Sequence, residues 1–201
     1  MTHDHYFTAE PASADERRTV EVELAGRRLT VETAAGVFSP DHVDLGTQVL
    51  LRNVPEPPAE GDLLDLGCGW GPVALELALR SPGARVWAVD VNRRTLDLVA
   101  RNAARAGAAG VRAAEPDEVP DDVRFAAIWS NPPIRVGKDA LHALLLRWLP
   151  RLAPGGSAWL VVGRNLGADS LQRWLAAQLP EYRVERAASA KGFRVLVVGE
   201  R

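Results

Sequence analysis

The chain has a single cysteine, Cys68, in 201 residues. A lone thiol excludes an internal disulfide and leaves no second cysteine for a zinc site, so a reducing, cytoplasmic setting fits. No run of about 18 or more apolar residues occurs, and the N-terminus Met1-Thr-His-Asp-His-Tyr6 lacks the basic-then-apolar pattern of a secretory leader. A soluble, unprocessed protein is expected. Basic excess is missing too: 24 Lys and Arg against 26 Asp and Glu give a formal net charge of −2. Counterion release rewards a positive surface on nucleic acid, so any RNA contact has to come from a local patch. His3 and His5 have no further ligand close by in sequence, and no metal is expected. What is present, 47% hydrophobic and 25% charged residues, is an ordinary globular composition with enough chain for one substantial core. A monomer is the simplest expectation.

Apolar residues alternate through Val20, Val22 and Leu24, and again through Leu29 and Val31, with Ala25-Gly26-Arg27 able to turn between them. This predicts a hairpin. Ser39, as an N-cap before Pro40, predicts a helix over His42 to Leu51 with Val43, Val49 and Leu50 buried. The proline-rich segment 54–61 then reads as a connector, which divides the chain into an N-terminal flank, 1–60, and a main domain, 61–201. After Gly61, short apolar runs alternate with helical patterns, the signature of parallel strands joined by crossover helices. Strands are predicted at Leu63–Leu66, Arg85–Asp90, Val111–Ala114, Phe125–Ser130, Ala158–Val162, Tyr182–Ala187 and Phe193–Val198. Helices are marked by Leu96, Val99, Ala100 and Ala103, capped by Asn92, by Leu141 through Leu152, and by the stretch from Ser170 to Leu179. The expected fold is α/β: an open, mostly parallel seven-stranded sheet of Rossmann-like type, helices on both faces, and an antiparallel strand at the C-terminal end.

The chemistry-bearing elements fall at strand ends. Asp65 closes the first strand of the main domain, and Gly67, Gly69 and Gly71 follow before a helix opened by Pro72. Missing side chains let a ligand approach the backbone, and the helix N-terminus beyond offers free N–H groups. The dinucleotide fingerprint needs its third glycine where Pro72 stands, which turns the loop away from nicotinamide cofactors. Asp90 ends the next strand about 20 residues on, where an acid accepts hydrogen bonds from ribose hydroxyls; capping the following helix is the alternative role. Cys68 fills the loop, with no base nearby to activate it.

The fourth strand ends in Asn131-Pro132-Pro133-Ile134. Two prolines impose a rigid, extended backbone that holds the Asn131 side chain and the Pro132 carbonyl at the ligand-binding edge of the sheet. An exocyclic amino group on a base is a poor nucleophile because its lone pair is delocalised. Two acceptors fixed on its N–H bonds draw the nitrogen toward a pyramidal geometry and aim the lone pair at an electrophilic methyl.

With these motifs in place, the chain resembles the class I S-adenosylmethionine-dependent methyltransferases of the small-domain family, particularly the 16S ribosomal RNA guanine-N2 enzymes. The likeness runs over nearly the whole chain. Its carriers are Gly36-Val37-Phe38-Ser39 with Asp44, Gly46 and Thr47, the Asp-x-Gly-x-Gly-x-Gly loop, Asp90, Asn131-Pro132-Pro133, and the Leu152-Ala-Pro-Gly-Gly156 turn. The resemblance implies S-adenosylmethionine as cofactor, held by Asp65, Gly67, Cys68, Gly69 and Gly71, with Asp90 and Val91 at the ribose. It implies Glu115 at the adenine edge, Phe38 and Thr47 at the methionine end, and Asn131 beside the methyl. By the same resemblance Asn131, Pro132 and Pro133 form the catalytic element that holds the target amine. The family usually has an aromatic ring after Pro133 to stack on the base; here the residue is Ile134. Ribosomal RNA or a ribosomal subunit is the implied partner.

Basic residues proposed for a phosphate-facing rim, beside Ile134 in the substrate set, are Arg135, Lys138, Lys191 and Arg194, with ordinary solvated surface as the alternative. Among the tryptophans, five fall in predicted strands or helices, and only Trp70, inside the glycine loop, is placed to touch the cofactor. A protein-glutamine methyltransferase presents the same N–H geometry to Asn-Pro-Pro, and a small-molecule amine acceptor or a non-catalytic cofactor-binding module also stays open.

Overall fold

The computed structural model describes residues 16–200, so His3 and His5 lie outside the described residues. Strands β1 (Arg17–Leu24) and β2 (Arg27–Ala34) form the expected hairpin, with Leu24 opposite Arg27. Its two turn residues, Ala25 and Gly26, have φ of 49° and 68°, the left-handed pair whose twist matches that of the flanking strands. Helix α1 (Leu45–Leu51) starts later than expected, because its N-cap is Asp44 and not Ser39. The Asp44 carboxylate accepts from the N–H groups of Gly46 and Thr47 at 2.8 and 3.3 Å. Ser39 instead sits at φ 46° with its hydroxyl donating to the His42 carbonyl, which leaves Pro40 in a turn. Val43, Val49 and Leu50 are buried as expected.

The main sheet contains β3 (Asp62–Leu66), β4 (Arg85–Val89), β5 (Val111–Ala114), β6 (Phe125–Ser130), β7 (Leu152–Gly163), β8 (Tyr182–Ala190) and β9 (Phe193–Glu200). Its order is β5-β4-β3-β6-β7-β9-β8, with β3 to β7 mutually parallel and β9 antiparallel between β7 and β8. Four helices join in: α2 (Pro72–Arg80), α3 (Arg93–Ala106), α4 (Lys138–Trp148) and α5 (Ala168–Gln178). Strand alternation sends Leu63, Ala127 and Trp129 into one core, shared with α1 to α3 and the N-terminal hairpin, and Leu64 and Ile128 into the other, under α4 and α5. The chain winds outward from β3 through β4 to β5, then returns to the other side of β3 as β6. That reversal opens a crevice beyond the carboxyl ends of β3 and β6, where open α/β sheets bind ligands.

Two local departures have physical causes. The loop expected before Phe193 shrinks to a two-residue turn, because β8 continues pairing through Ala190; Lys191 and Gly192 take φ of 49° and 83°. In α3 the buried face is Thr95, Leu98, Val99, Asn102 and Ala103; of the expected positions Val99 and Ala103 are buried, Leu96 packs half-buried against the core, and Ala100 is exposed. A polar residue on a core face is invisible to apolar periodicity. Asn102 is buried because every polar atom it carries is used: its oxygen accepts from Glu32 N–H at 2.6 Å, and its amide donates to the carbonyls of Glu32 and Trp70 at 2.9 and 3.0 Å. Glu76 accepts from Ala25 N–H at 2.6 Å, and Asn92 donates to the Gly36 carbonyl at 3.3 Å. These side chains clip the N-terminal hairpin and the segment after it onto α2 and α3.

Replacing Asn102 by Ala strands the Glu32 N–H and two carbonyls in the core, so the variant should lose about 2 to 3 kcal/mol in denaturant unfolding. A change within a few tenths of a kcal/mol would show that the clip does not hold the flank.

Candidate active site

The loop after β3 divides its glycines by task. Gly67, Gly69 and Gly71 all have positive φ, 76°, 52° and 98°, conformations that favour glycine. The N–H groups of Gly67 and Cys68 donate to the Val89 carbonyl at 2.8 and 3.1 Å, tying the loop to the end of β4. A Cβ on Gly71 would lie 3.2 Å from Val99 Cγ2, so this glycine lets α2 and α3 close together. Around the Cβ position of Gly69 nothing lies within 4 Å, so the backbone is open on that side. Beneath the loop, Asp65 accepts from Ala74 N–H at 2.8 Å, joining the strand end to the first turn of α2; burial pushes its carboxyl up to about 8. Burial also raises the Cys68 thiol well above its usual range, helped by the carboxylates of Asp90 and Asp65, so it stays protonated and unreactive. Trp70 is part of the core at 1% exposure, its indole donating to the Ser39 carbonyl at 3.1 Å.

A cavity of about 370 Å³ opens over the loop, bordered by Phe38, Gly67, Gly69 and Asp90 on one side and by Asn131 to Ile134, Leu166 and Phe193 on the other. One oxygen of Asp90 accepts from Gly69 N–H at 3.3 Å and the other from Asn92 N–H at 3.0 Å. The Val91 N–H is a further backbone donor to this carboxylate. Burial raises this carboxyl to about 6, with the hydrogen bonds from Asn92 and Gly69 opposing the shift. Thr47, Asp65 and Cys68 border a smaller hollow beneath the loop. Val91 is exposed, and Glu115 is paired with Arg93 at 2.8 Å; neither they nor Gly71 border either space.

At the end of β6, Ser130 donates to the Leu66 carbonyl at 2.6 Å and locks the two sides of the crevice together. The Asn131 amide donates one hydrogen bond to Asp44 Oδ2 at 2.9 Å and another to Thr47 Oγ1 at 3.1 Å. Both amide hydrogens are thereby used, and the carbonyl oxygen is left as the free acceptor of this side chain. Pro133, at φ −74° and ψ 76°, forms an inverse γ-turn in which Ile134 N–H donates to the Pro132 carbonyl at 2.9 Å. The Pro132 oxygen keeps one lone pair beside Asn131. A Cβ at Gly46 would come within 2.9 Å of Asp44 Oδ2, 3.0 Å of Phe193 Cε1 and 3.4 Å of Asn131 Nδ2. Three groups far apart in sequence therefore converge on one point.

Asp44 was legible only as part of a family motif, and Phe193 only as the start of a strand; helix capping was the available signal for Asp44, and Phe193 offered none. Of the basic set, Lys138 is exposed at the start of α4 and borders neither space, and the Arg135 side chain lies outside the described residues. Arg194 is ion-paired with Asp169, while Lys191 stands exposed at the β8–β9 turn.

Comparison with known proteins yields a consistent set. The family model for the methyltransferase small domain matches residues 28–197. The chain is 34% identical to the uncharacterized protein YbxB of Bacillus subtilis over 170 residues, which is 83% of this chain and 85% of that one. It is 40% identical over 125 residues to ribosomal RNA small subunit methyltransferase C of Aeromonas hydrophila, which is 61% of this chain and 35% of the relative. Among solved structures, the T. thermophilus 16S rRNA N2 G1207 methyltransferase RsmC, in complex with AdoMet and guanosine, superposes with a TM-score of 0.74 at 26% identity, covering 95% of this chain and 52% of that one. The chain thus spans about a third to a half of the length of these two ribosomal RNA enzymes.

Asp65 also sets a pH dependence. Burial pushes its carboxyl up to about 8 from an ordinary 3.8, so between those values the folded state holds more protons than the unfolded chain, and stability falls as pH rises. Asp65→Asn mimics the protonated acid. Its unfolding free energy relative to the native chain should rise steadily from pH 5 to pH 8, the contribution of Asp90 being common to both proteins; a difference independent of pH would contradict a protonated Asp65.

Proposed function

The chain belongs to the methyltransferase small domain family, and from that premise we propose that it transfers the methyl group of S-adenosylmethionine to the exocyclic N2 of a guanine in ribosomal RNA. The observation that carries this reading is the Asn131 amide, turned by Asp44 and Thr47 so that its carbonyl oxygen stands free next to the Pro132 carbonyl. Two neighbouring acceptors suit an –NH2 group, which brings two donors and no charge.

The residues present fit the cofactor. Gly69 leaves open backbone, the Asp90 carboxylate borders the cavity as an acceptor for ribose hydroxyls, and Phe38 offers an exposed ring on the same cavity. S-adenosylmethionine supplies an electrophilic methyl on its sulfonium. The protein supplies position: Asn131 and Pro132 hold the amine by its hydrogens and direct its lone pair. Asp44 takes three N–H donors on one oxygen, one of them from the Asn131 amide, and so orients that side chain. No strong base is needed, because a methylated amine that carries positive charge gives up its proton to water readily.

In this reading residues 1–60 act as a flank that delivers Phe38, Asp44 and Thr47 to a catalytic domain at 61–201, and the protein works as a monomer. RNA contact comes from a local patch, as the net charge of −2 requires. The guanosine bound by the T. thermophilus neighbour supports guanine over a protein amide. Ribosomal RNA is found in the cytoplasm, and no described helix is long and apolar enough to cross a membrane.

The test is transfer of labelled methyl to isolated small subunits, large subunits, bare ribosomal RNA, release factor and a metabolite extract. Label should enter guanine N2 of the small-subunit RNA. Asn131→Ala should cut turnover by about 100-fold or more with S-adenosylhomocysteine affinity within about twofold of the native value. Label confined to protein or metabolites would overturn the acceptor, and equal loss of binding and turnover would make Asn131 structural.

A further inference from the structure

A second concavity of about 220 Å³ lies against the β8–β9 turn, between Arg164 and the run from Ser189 to Arg194. The one residue it shares with the main cavity is Phe193. Arg164 N–H donates to the Gly192 carbonyl at 2.8 Å, and Gly163 pairs with Phe193, so the turn is fastened to the end of β7. Arg194 is ion-paired with Asp169 and only 15% exposed, and its charge is spent on the protein itself. Arg164 and Lys191 are exposed, and among the described residues neither has a carboxylate partner. Two uncompensated cations thus flank a hollow next to the reaction site, in a protein whose overall charge offers a polyanion nothing.

Phe193 connects this hollow to the chemistry. The Gly46 Cβ position lies within 3.0 Å of its Cε1 and 3.4 Å of Asn131 Nδ2, which sets the ring beside the amide that holds the amine. Ile134 borders the same cavity and has no π face. Resting on the reading of that cavity as an acceptor site for a base, we propose that Phe193, Arg164 and Lys191 form a nucleotide subsite for single-stranded RNA. The ring of Phe193 supports the target base, and Arg164 with Lys191 binds a neighbouring backbone phosphate. Single-stranded RNA is recognised by such a pairing of aromatic stacking with local positive charge. Phe193, half-buried, borders both spaces and so joins the base in the main cavity to the cations at the hollow.

The experiment is fluorescence anisotropy with a 5′-labelled single-stranded RNA hexamer carrying one central guanine, with S-adenosylhomocysteine present, over a range of salt. Arg164→Gln combined with Lys191→Asn should weaken binding about tenfold at low salt and flatten the slope of log K against log salt by about 0.7 to 1.4. Phe193→Leu should weaken binding about tenfold with the slope unchanged, and Phe193→Trp should restore it. Unchanged S-adenosylhomocysteine affinity establishes that each variant is folded. Hexamer binding that is equal in all the proteins, absent in the native one, or unaltered in salt slope by the double substitution overturns the subsite. Because binding is read without methyl transfer, RNA that is labelled by the native enzyme while the variants bind it normally removes the subsite alone. Hexamer binding that depends on these residues, with no label in ribosomal RNA, removes the acceptor assignment alone.

Discussion

One carboxylate oxygen organises the site. Asp44 Oδ2 receives the N–H groups of Gly46 and Thr47, which starts α1, and the Nδ2 of Asn131, 87 residues further along the chain. An Asn side chain is ambiguous, since its two ends differ in hydrogen-bond sense but hardly in shape. A carboxylate accepts and never donates when ionised, so it selects the amide end and leaves the carbonyl as the free acceptor. Thr47, placed by the same helix start, takes the second amide hydrogen. In the proposed reaction the N-terminal segment is therefore part of the machinery, because it sets which end of the Asn131 amide faces the cavity.

The rest of the structure keeps Asp44 and Asn131 in register. Asn131 is fixed at the sheet by Ser130 reaching across to Leu66, and by the γ-turn at Pro133. The N-terminal side is fixed by Asn102, Asn92 and Glu76, buried polar side chains whose partners are backbone groups of the hairpin and of the segment after it. Apolar burial alone is non-directional; these hydrogen bonds specify one placement. Asp90 performs the equivalent task for the glycine loop, since its carboxylate holds Gly69 N–H from below while facing the cavity.

What the sequence made legible is what local spacing can carry. The glycine loop, Asp90 and Asn131-Pro132-Pro133 each announce themselves within a few residues, and the sheet places Gly67, Gly69, Asp90, Asn131 and both prolines around one cavity. Contacts between distant segments left little trace. Nothing near Asn131 points to Asp44, and the sequence signal for a cap fell on Ser39 because Ser-Pro is a strong helix opener. Within the α3 face Val99 and Ala103 were legible but Asn102 was not, because it is buried for its hydrogen bonds, and the β8–β9 loop is shorter than expected because a left-handed Lys191 lets the strands continue to a two-residue turn. Charge was the least legible property. Lys191 and Arg194 look alike in sequence, yet Asp169 neutralises Arg194 while Lys191 has no carboxylate partner among the described residues, and Arg164 borders the same hollow unannounced.

The central claim is that Asp44 acts by orienting Asn131. It is tested most directly by measuring, in an Asp44→Ala variant, methyl transfer to the RNA acceptor and S-adenosylhomocysteine affinity together. Loss of the cap should lower stability by about 0.5 to 2 kcal/mol and leave the protein folded. Turnover should fall by about 100-fold or more, as for a misplaced reacting group, with cofactor affinity close to native. Turnover within a few-fold of the native enzyme in a folded Asp44→Ala protein would contradict the account.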